Sequence, residues 1–149
     1  MADLVDVDAR RAVIHKYWDA LMSGDMVTFR TLLAPGAVIH YPGQNHMSGD
    51  YTTTDDIVGL YTQLTQVVQD GVFTGEVLDI MVGDVYTSVV IKYDLHTPVK
   101  VLPGRAIGLF ILDDDLRIKE YWLHEWNQHM INWVFRGSRL VSPVTGYLK

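Results

Sequence analysis

The hydrophobic period of this chain changes once, and that change limits what it can fold into. Up to Gln69 the apolar residues recur every three or four positions, as on one face of a helix. From Val72 onward they alternate or run in short blocks between polar turns, as in strands. Helices followed by strands, without βαβ alternation, predict an α+β fold.

The spacing predicts a helix from about Asp8 to Ser23. Val13, Tyr17, Ala20 and Leu21 form its buried stripe, with Ile14 and Trp18 beside it; Asp6 or Asp8 is its cap and Gly24 its stop. A short second helix follows, capped by Asp25, with Val27, Phe29, Leu32 and Leu33 as its apolar face, and Pro35-Gly36 breaks it. Ala37 to Tyr41 reads as a short strand running into a loop with Pro42-Gly43 and Ser48-Gly49-Asp50. A third helix spans about Asp55 to Gln69 and buries Ile57, Leu60, Tyr61, Leu64, Val67 and Val68.

Four strands are then predicted: Val72–Val82, Val85–His96, Arg105–Leu112 and Leu116–Trp126. Gly83-Asp84 and Asp113-Asp114-Asp115 are tight connections, so neighbours should pair as antiparallel hairpins. Pro98 to Gly104 reads as a longer loop able to lid a pocket. Asn127 to Phe135 reads as a final turn or helix, and the tail after Gly137 shows no pattern. Three N-terminal helices over a curved antiparallel sheet enclose a cone-shaped interior, a cone-shaped α+β barrel. With 149 residues there is room for one core, so residues 1–149 are expected to form a single domain.

Composition narrows the partners. A net charge of −6 with scattered Lys and Arg offers no basic stripe for phosphates, so no nucleic acid is expected. Apolar runs stop well short of a membrane span, and the acidic start (Asp3, Asp6, Asp8) does not resemble an export signal. No membrane partner and a cytoplasmic location are the expectations, and the absence of cysteine fits the latter. No metal or nucleotide motif is visible: His124 and His129 lack a glutamate at the needed offset, and no Gly-rich phosphate loop occurs. Neither metal nor cofactor is expected. The strand with Ala106, Ile107, Leu109, Phe110, Ile111 and Leu112 is apolar on both faces; if one meets a cavity, the other is expected to meet a second copy, a homodimer.

Four Trp and eight Tyr supply flat faces with polar tips, which suits a pocket for a hydrophobic small molecule. On the last strand Ile118, Glu120, Trp122, His124 and Trp126 alternate with Lys119, Tyr121, Leu123, Glu125 and Asn127. The first set holds both tryptophans and is taken as the concave face. Glu120 and His124 then become candidate acid–base groups, since buried titratable pairs mark functional sites. The competing readings are a Glu120 ion pair with Lys92 or Arg105 and a structural His124. Tyr17 is a further catalytic candidate, or a core tyrosine bonded to backbone. His40, also a catalytic candidate, and Tyr41, a candidate for the lining, face opposite ways, and the pattern leaves open which reaches the pocket. Trp18, Asn45, Tyr51, Tyr61, Leu64, Tyr93, Trp122 and Trp126 complete the proposed lining, against a plain core or turn role for each.

Tyr17-Trp18-Asp19-Ala20-Leu21-Met22-Ser23-Gly24-Asp25 resembles the "Y-x-x-A-L-x-x-G-D" opening of nuclear transport factor 2-like domains, which include the ketosteroid isomerases. Ile39-His40-Tyr41-Pro42-Gly43-Gln44-Asn45 with Ser48-Gly49-Asp50-Tyr51 resembles the "W-H-x-P-G-x-N…G-x-Y" segment of SnoaL-like polyketide cyclases. Ile118-Lys119-Glu120-Tyr121-Trp122 resembles the "I-x-E-x-W" of their closing strand. The resemblance implies the cone-shaped fold and a cofactor-independent cyclase. Steroid isomerisation is disfavoured: Tyr41 stands where those isomerases carry their Asp base, Ile107-Gly108 stands where they carry a protonated acid, and only Tyr17 matches. SnoaL-like aldol cyclases carry an acid late in the closing strand, where this chain has Trp126 and Asn127, with His124 and Glu125 just before. In length and in the loop before Arg105 the chain is also similar to cyclases of polyene and polyether antibiotic pathways, the indane-forming type included.

The leading expectation is a cyclase that closes a ring in a hydrophobic polyketide-type intermediate, with a pericyclic (Diels–Alder type) closure templated by aromatic walls as its mechanism. The alternatives are epoxide opening or aldol closure using Glu120 and His124, and a non-catalytic binding module.

Overall fold

A computed structural model describes residues 4–136, the side chains from residue 6 onward. The order is α1 (Leu4–Ser23), α2 (Met26–Thr31), β1 (Leu33–Tyr41), β2 (Gly49–Tyr51), α3 (Thr54–Gln69), β3 (Phe73–Val82), β4 (Thr87–His96), β5 (Val101–Leu112), β6 (Ile118–Glu125) and α4 (Gln128–Val134). The tail beyond Gly137, for which the sequence predicts no element, lies outside the described residues. Among those described, no helix is long and apolar enough to cross a membrane.

The six strands form one curved sheet in the order β2-β1-β6-β5-β4-β3. β3 to β6 make the expected antiparallel meander. The helices pack on its concave face, and the architecture is a cone-shaped α+β barrel. Asp25 caps α2 by accepting the Thr28 N–H, and Thr53 caps α3 by accepting the Asp56 N–H. Ile14, Tyr17, Phe29, Ile57, Leu60 and Tyr61 from the helices meet Ile39, Phe110, Ile118 and Tyr121 from the sheet; all are buried.

Several boundaries differ from expectation, each for a local reason. α1 begins at Leu4, so Asp6 lies in its first turn, favourable for a carboxylate, and pairs with Arg10 at 2.8 Å. β1 begins at Leu33 because Pro35-Gly36 does not end the element. It sits in a register irregularity between Leu33 and Val38, where Gly36 takes φ +74°. β1 pairs parallel with β6, so the sheet is antiparallel except at that join. β2 was not foreseen; it pairs antiparallel to β1 through His40 and Asp50.

The segment Pro98–Gly104 is not a long loop. Thr97 closes a tight turn, its N–H and hydroxyl both donating to the Lys100 carbonyl, and β5 starts at Val101. No lid is formed there.

Candidate functional site

Between the helices and the concave sheet lies a cavity of about 90 Å³. A cavity of about 150 Å³ takes up benzene, so this one admits a few waters or part of one ring. A larger ligand must extend through the mouth or displace side chains. Tyr17, Trp18 and Leu21 on α1 and Tyr61, Leu64, Val67 and Val68 on α3 form the roof. Phe73 on β3, Val89, Ile91, Tyr93 and Leu95 on β4, Gly108 on β5 and Tyr121, Leu123 and Glu125 on β6 form the floor. Tyr41 on β1 and Ile131 and Phe135 at α4 close the sides.

The polar tips in this apolar space are five phenols and one carboxyl. The Tyr17 and Tyr61 hydroxyls share a hydrogen bond of 2.7 Å. Tyr17 also packs edge-on against Phe110, with ring centres 5.0 Å apart. Burial raises the pKa of Tyr17, Tyr61 and Tyr121 well above the usual tyrosine value, and that of Tyr41 and Tyr93 also rises. All five are therefore neutral hydrogen-bond groups near pH 7. No Lys, Arg or His lines the cavity among the described residues.

Among the described residues Glu125 is the one acid in the lining. The Tyr93 hydroxyl donates to its Oε1 at 2.5 Å. Burial pushes the carboxyl up to about 7, against a smaller downward pull from the Tyr93 bond. A carboxyl that is part protonated and part ionised at neutral pH can both take and give a proton.

The expected face of β6 is inverted. Ile118 is buried, but so is Tyr121, three residues later. The register slips between Ile111 and Leu112, where Leu112 pairs with Ile118 and Ile111 with Glu120, so alternation breaks at Lys119. From Glu120 onward the tryptophan set points away from the cavity. Glu120, Trp122, His124 and Trp126 are on the convex side, and Trp126 is 85% exposed. Tyr121, Leu123 and Glu125 take the concave side.

His40 also lies on the convex side, which answers the question left open at the end of β1: Tyr41 reaches the cavity. His40 Nδ1 is 2.7 Å from Asp50 Oδ1, its Nε2 is 2.6 Å from Glu120 Oε2, and its ring stacks on Trp122 with centres 5.1 Å apart. Partial burial lowers its pKa, but the Glu120 and Asp50 carboxylates outweigh this and raise it. Glu120 therefore pairs with His40, not with Lys92 or Arg105; Lys92 pairs with Glu76 at 2.9 Å.

The structure thus brings Tyr17, Trp18, Tyr41, Tyr61, Leu64 and Tyr93 together around one cavity and leaves His40, Glu120, His124, Trp122 and Trp126 outside it. Asn45 and Tyr51 also stand apart from its lining. Asn45 accepts from the Met47 N–H and donates to Asn132, and Tyr51 donates to the Met47 carbonyl, so both hold their loop. Tyr121, Leu123 and Glu125 were missed; the acid expected late in the closing strand was the available signal for Glu125. Among the described residues no group of three or more His, Cys, Asp or Glu is arranged to hold a metal ion.

No protein-family model and no curated protein matches the sequence. Solved structures do match in shape. Bal32a, from a soil-derived mobile gene cassette, is 18% identical with a TM-score of 0.76, covering 87% of this chain and 98% of its own. IdmH from Streptomyces antibioticus, a candidate polyketide cyclase, is 23% identical with a TM-score of 0.63, covering 82% of this chain and 95% of its own. SalBIII, an epoxide hydrolase/cyclase-like enzyme of pyran ring formation in the polyether salinomycin, is 12% identical with a TM-score of 0.65, covering 80% and 92%. At these identities the likeness establishes the fold, which is the one called NTF2-like.

Proposed function

We propose that the cavity is the active site of a cofactor-independent cyclase that closes a ring in a neutral, hydrophobic polyketide-type intermediate. The observation that carries this reading is Glu125: a lone carboxyl titrating near pH 7, set among neutral phenols in an otherwise apolar space. The shared fold with a candidate polyketide cyclase and an epoxide hydrolase/cyclase-like enzyme supports it.

In an aldol-type closure, ionised Glu125 takes a proton from the carbon between two carbonyls. A phenol of the Tyr17–Tyr61 pair donates to the developing enolate oxygen. The enolate carbon attacks a second carbonyl of the same chain, and the resulting alkoxide takes the proton back from Glu125. The aromatic walls hold the chain folded so that the two carbons meet.

The apolar bulk of the lining favours a second reading, a pericyclic closure in which protonated Glu125 only hydrogen-bonds a carbonyl. The variant Glu125→Gln separates the two, because glutamine donates a hydrogen bond but transfers no proton. Purified protein is given a linear poly-β-ketone thioester mimic and a linear polyene with an activated alkene, and products are followed by chromatography and mass spectrometry. Proton-transfer catalysis predicts a loss of about 100-fold or more with the first substrate. Templated closure predicts near-normal rates with the second. If wild-type protein alters the rate and product distribution of neither, the cyclase reading fails and a binding module takes its place.

The convex sheet face is proposed as the contact with a second copy. Ile107 is 40% exposed there and lies opposite Val90 and His124, while Leu109 lies opposite Trp122.

A further inference from the structure

Two glycines occupy the concave face of β5, Gly104 and Gly108, on either side of Ala106. Neither has a positive φ, so backbone conformation does not demand glycine at either place, and glycine weakens a strand interior. What they supply is space. The Tyr121 ring lies over Gly108, where an added Cβ would fall 2.7 Å from its Cε2 atom. The Tyr93 ring lies over Gly104, where an added Cβ would fall 2.5 Å from the phenol oxygen.

Tyr93 is on β4, Gly104 is its partner on β5, and Glu125 is on β6 opposite Ala106. β4 and β6 are not neighbours: they stand two strand spacings apart, roughly 9.6 Å. The Tyr93–Glu125 hydrogen bond therefore spans a whole strand, and any side chain on the concave face of β5 at position 104 would occupy its path. The Phe73 ring, stacked at 5.1 Å on Tyr93, supports the phenol from the β3 side.

We propose that Gly104 is a positioning residue for the active site: by leaving the face of β5 bare, it lets Tyr93 cross the strand and hold the Glu125 carboxyl. The inference rests on Glu125 as the working group, but its test needs no turnover. The titratable groups facing Glu125 are the phenols of Tyr41 from β1, Tyr93 from β4 and Tyr121 from β6; the roof adds Tyr17 and Tyr61, and among the described residues no basic one lines the space. Of these, Tyr93 is the one bonded to the carboxyl. That bond holds the carboxyl more acidic than burial alone would.

The chain has three glutamates, Glu76, Glu120 and Glu125, so labelling glutamate with 13C at the side-chain carboxyl gives three resonances, assigned from single Glu→Gln variants. In Gly104→Ala the Glu125 midpoint is expected to move up by about one pH unit or more, the size of one hydrogen bond to a charged group. Tyr93→Phe is expected to do the same, and Gly104→Ala added to Tyr93→Phe to do nothing further. An unmoved midpoint in Gly104→Ala overturns the proposal, and so does an equal additional shift in the Tyr93→Phe background. If Gly104→Ala alone does not fold, adding Tyr93→Leu should restore folding, and failure to restore it overturns the proposal. Turnover unaffected by Glu125→Gln would remove the proton-transfer reading while leaving this titration result intact.

Discussion

Replacing Glu125 by glutamine should stabilise the protein at high pH and barely change it at low pH. Glutamine keeps the size of the side chain and can still accept from the Tyr93 hydroxyl, so the perturbation is almost purely the loss of a charge. The folded-state pKa is about 7 against an ordinary value of 4.5, raised mainly by burial. A raised pKa means that the folded state binds its proton more tightly. The associated stability is fully present below about pH 4.5 and is lost as pH rises through 7. At 1.36 kcal/mol for each factor of ten, the loss reaches about 3 kcal/mol above pH 8 and stays under about 1 kcal/mol at pH 5. Urea unfolding of both proteins at pH 5, 6.5 and 8.5 measures it. The variant should gain up to about 3 kcal/mol at pH 8.5, or roughly 6–12 °C in Tm for a domain of this size. Equal stabilities across the three pH values, or a less stable variant at pH 8.5, would refute the placement of this carboxyl in an apolar cavity.

Tyr17→Phe removes a partner from the buried Tyr61 hydroxyl and should cost about 1–3 kcal/mol in urea unfolding, with slower ring closure if the phenol pair stabilises an enolate. On the convex face, the raised pKa of His40 gives a stabilisation present below the ordinary histidine value and lost as pH rises through the folded one. Hydrogen exchange at Gly49–Tyr51, corrected for intrinsic base catalysis, should therefore accelerate across that range, and His40→Ala should abolish the dependence. Leu109→Lys places a charge beside Trp122 on the proposed dimer face; light scattering should show dimeric wild type and monomeric variant, and a wild-type monomer would end that proposal.

The helices and the meander were legible because their apolar periods are long and uninterrupted: α3 runs from Thr54 to Gln69 against an expected Asp55 to Gln69. Roof residues on helices were legible for the same reason, since one helical stripe carries Tyr17, Trp18 and Leu21 and another Tyr61 and Leu64. The floor was not. Alternation in β6 divides the residues into two sets but does not say which is inside, and the slip near Lys119 puts Ile118 and Tyr121 on the same side. The two tryptophans set the wrong phase, because Trp122 is screened on the convex side by His40 and Tyr86, a cross-strand arrangement that no local pattern reveals. The parallel join of β1 to β6 depends on contacts between segments some 80 residues apart, such as His40 with Glu120, and the little strand β2 is only three residues long.

A working active site requires Glu125 to share its cavity with a guest. Adding cyclohex-2-enone, a neutral one-ring ketone, to protein with 13C-labelled glutamate carboxyls reads this directly. The Glu125 resonance and its titration midpoint should move saturably while those of Glu120 and Glu76 stay fixed. A saturable response at Glu120 with Glu125 unmoved would place the binding site on the convex face and contradict the account.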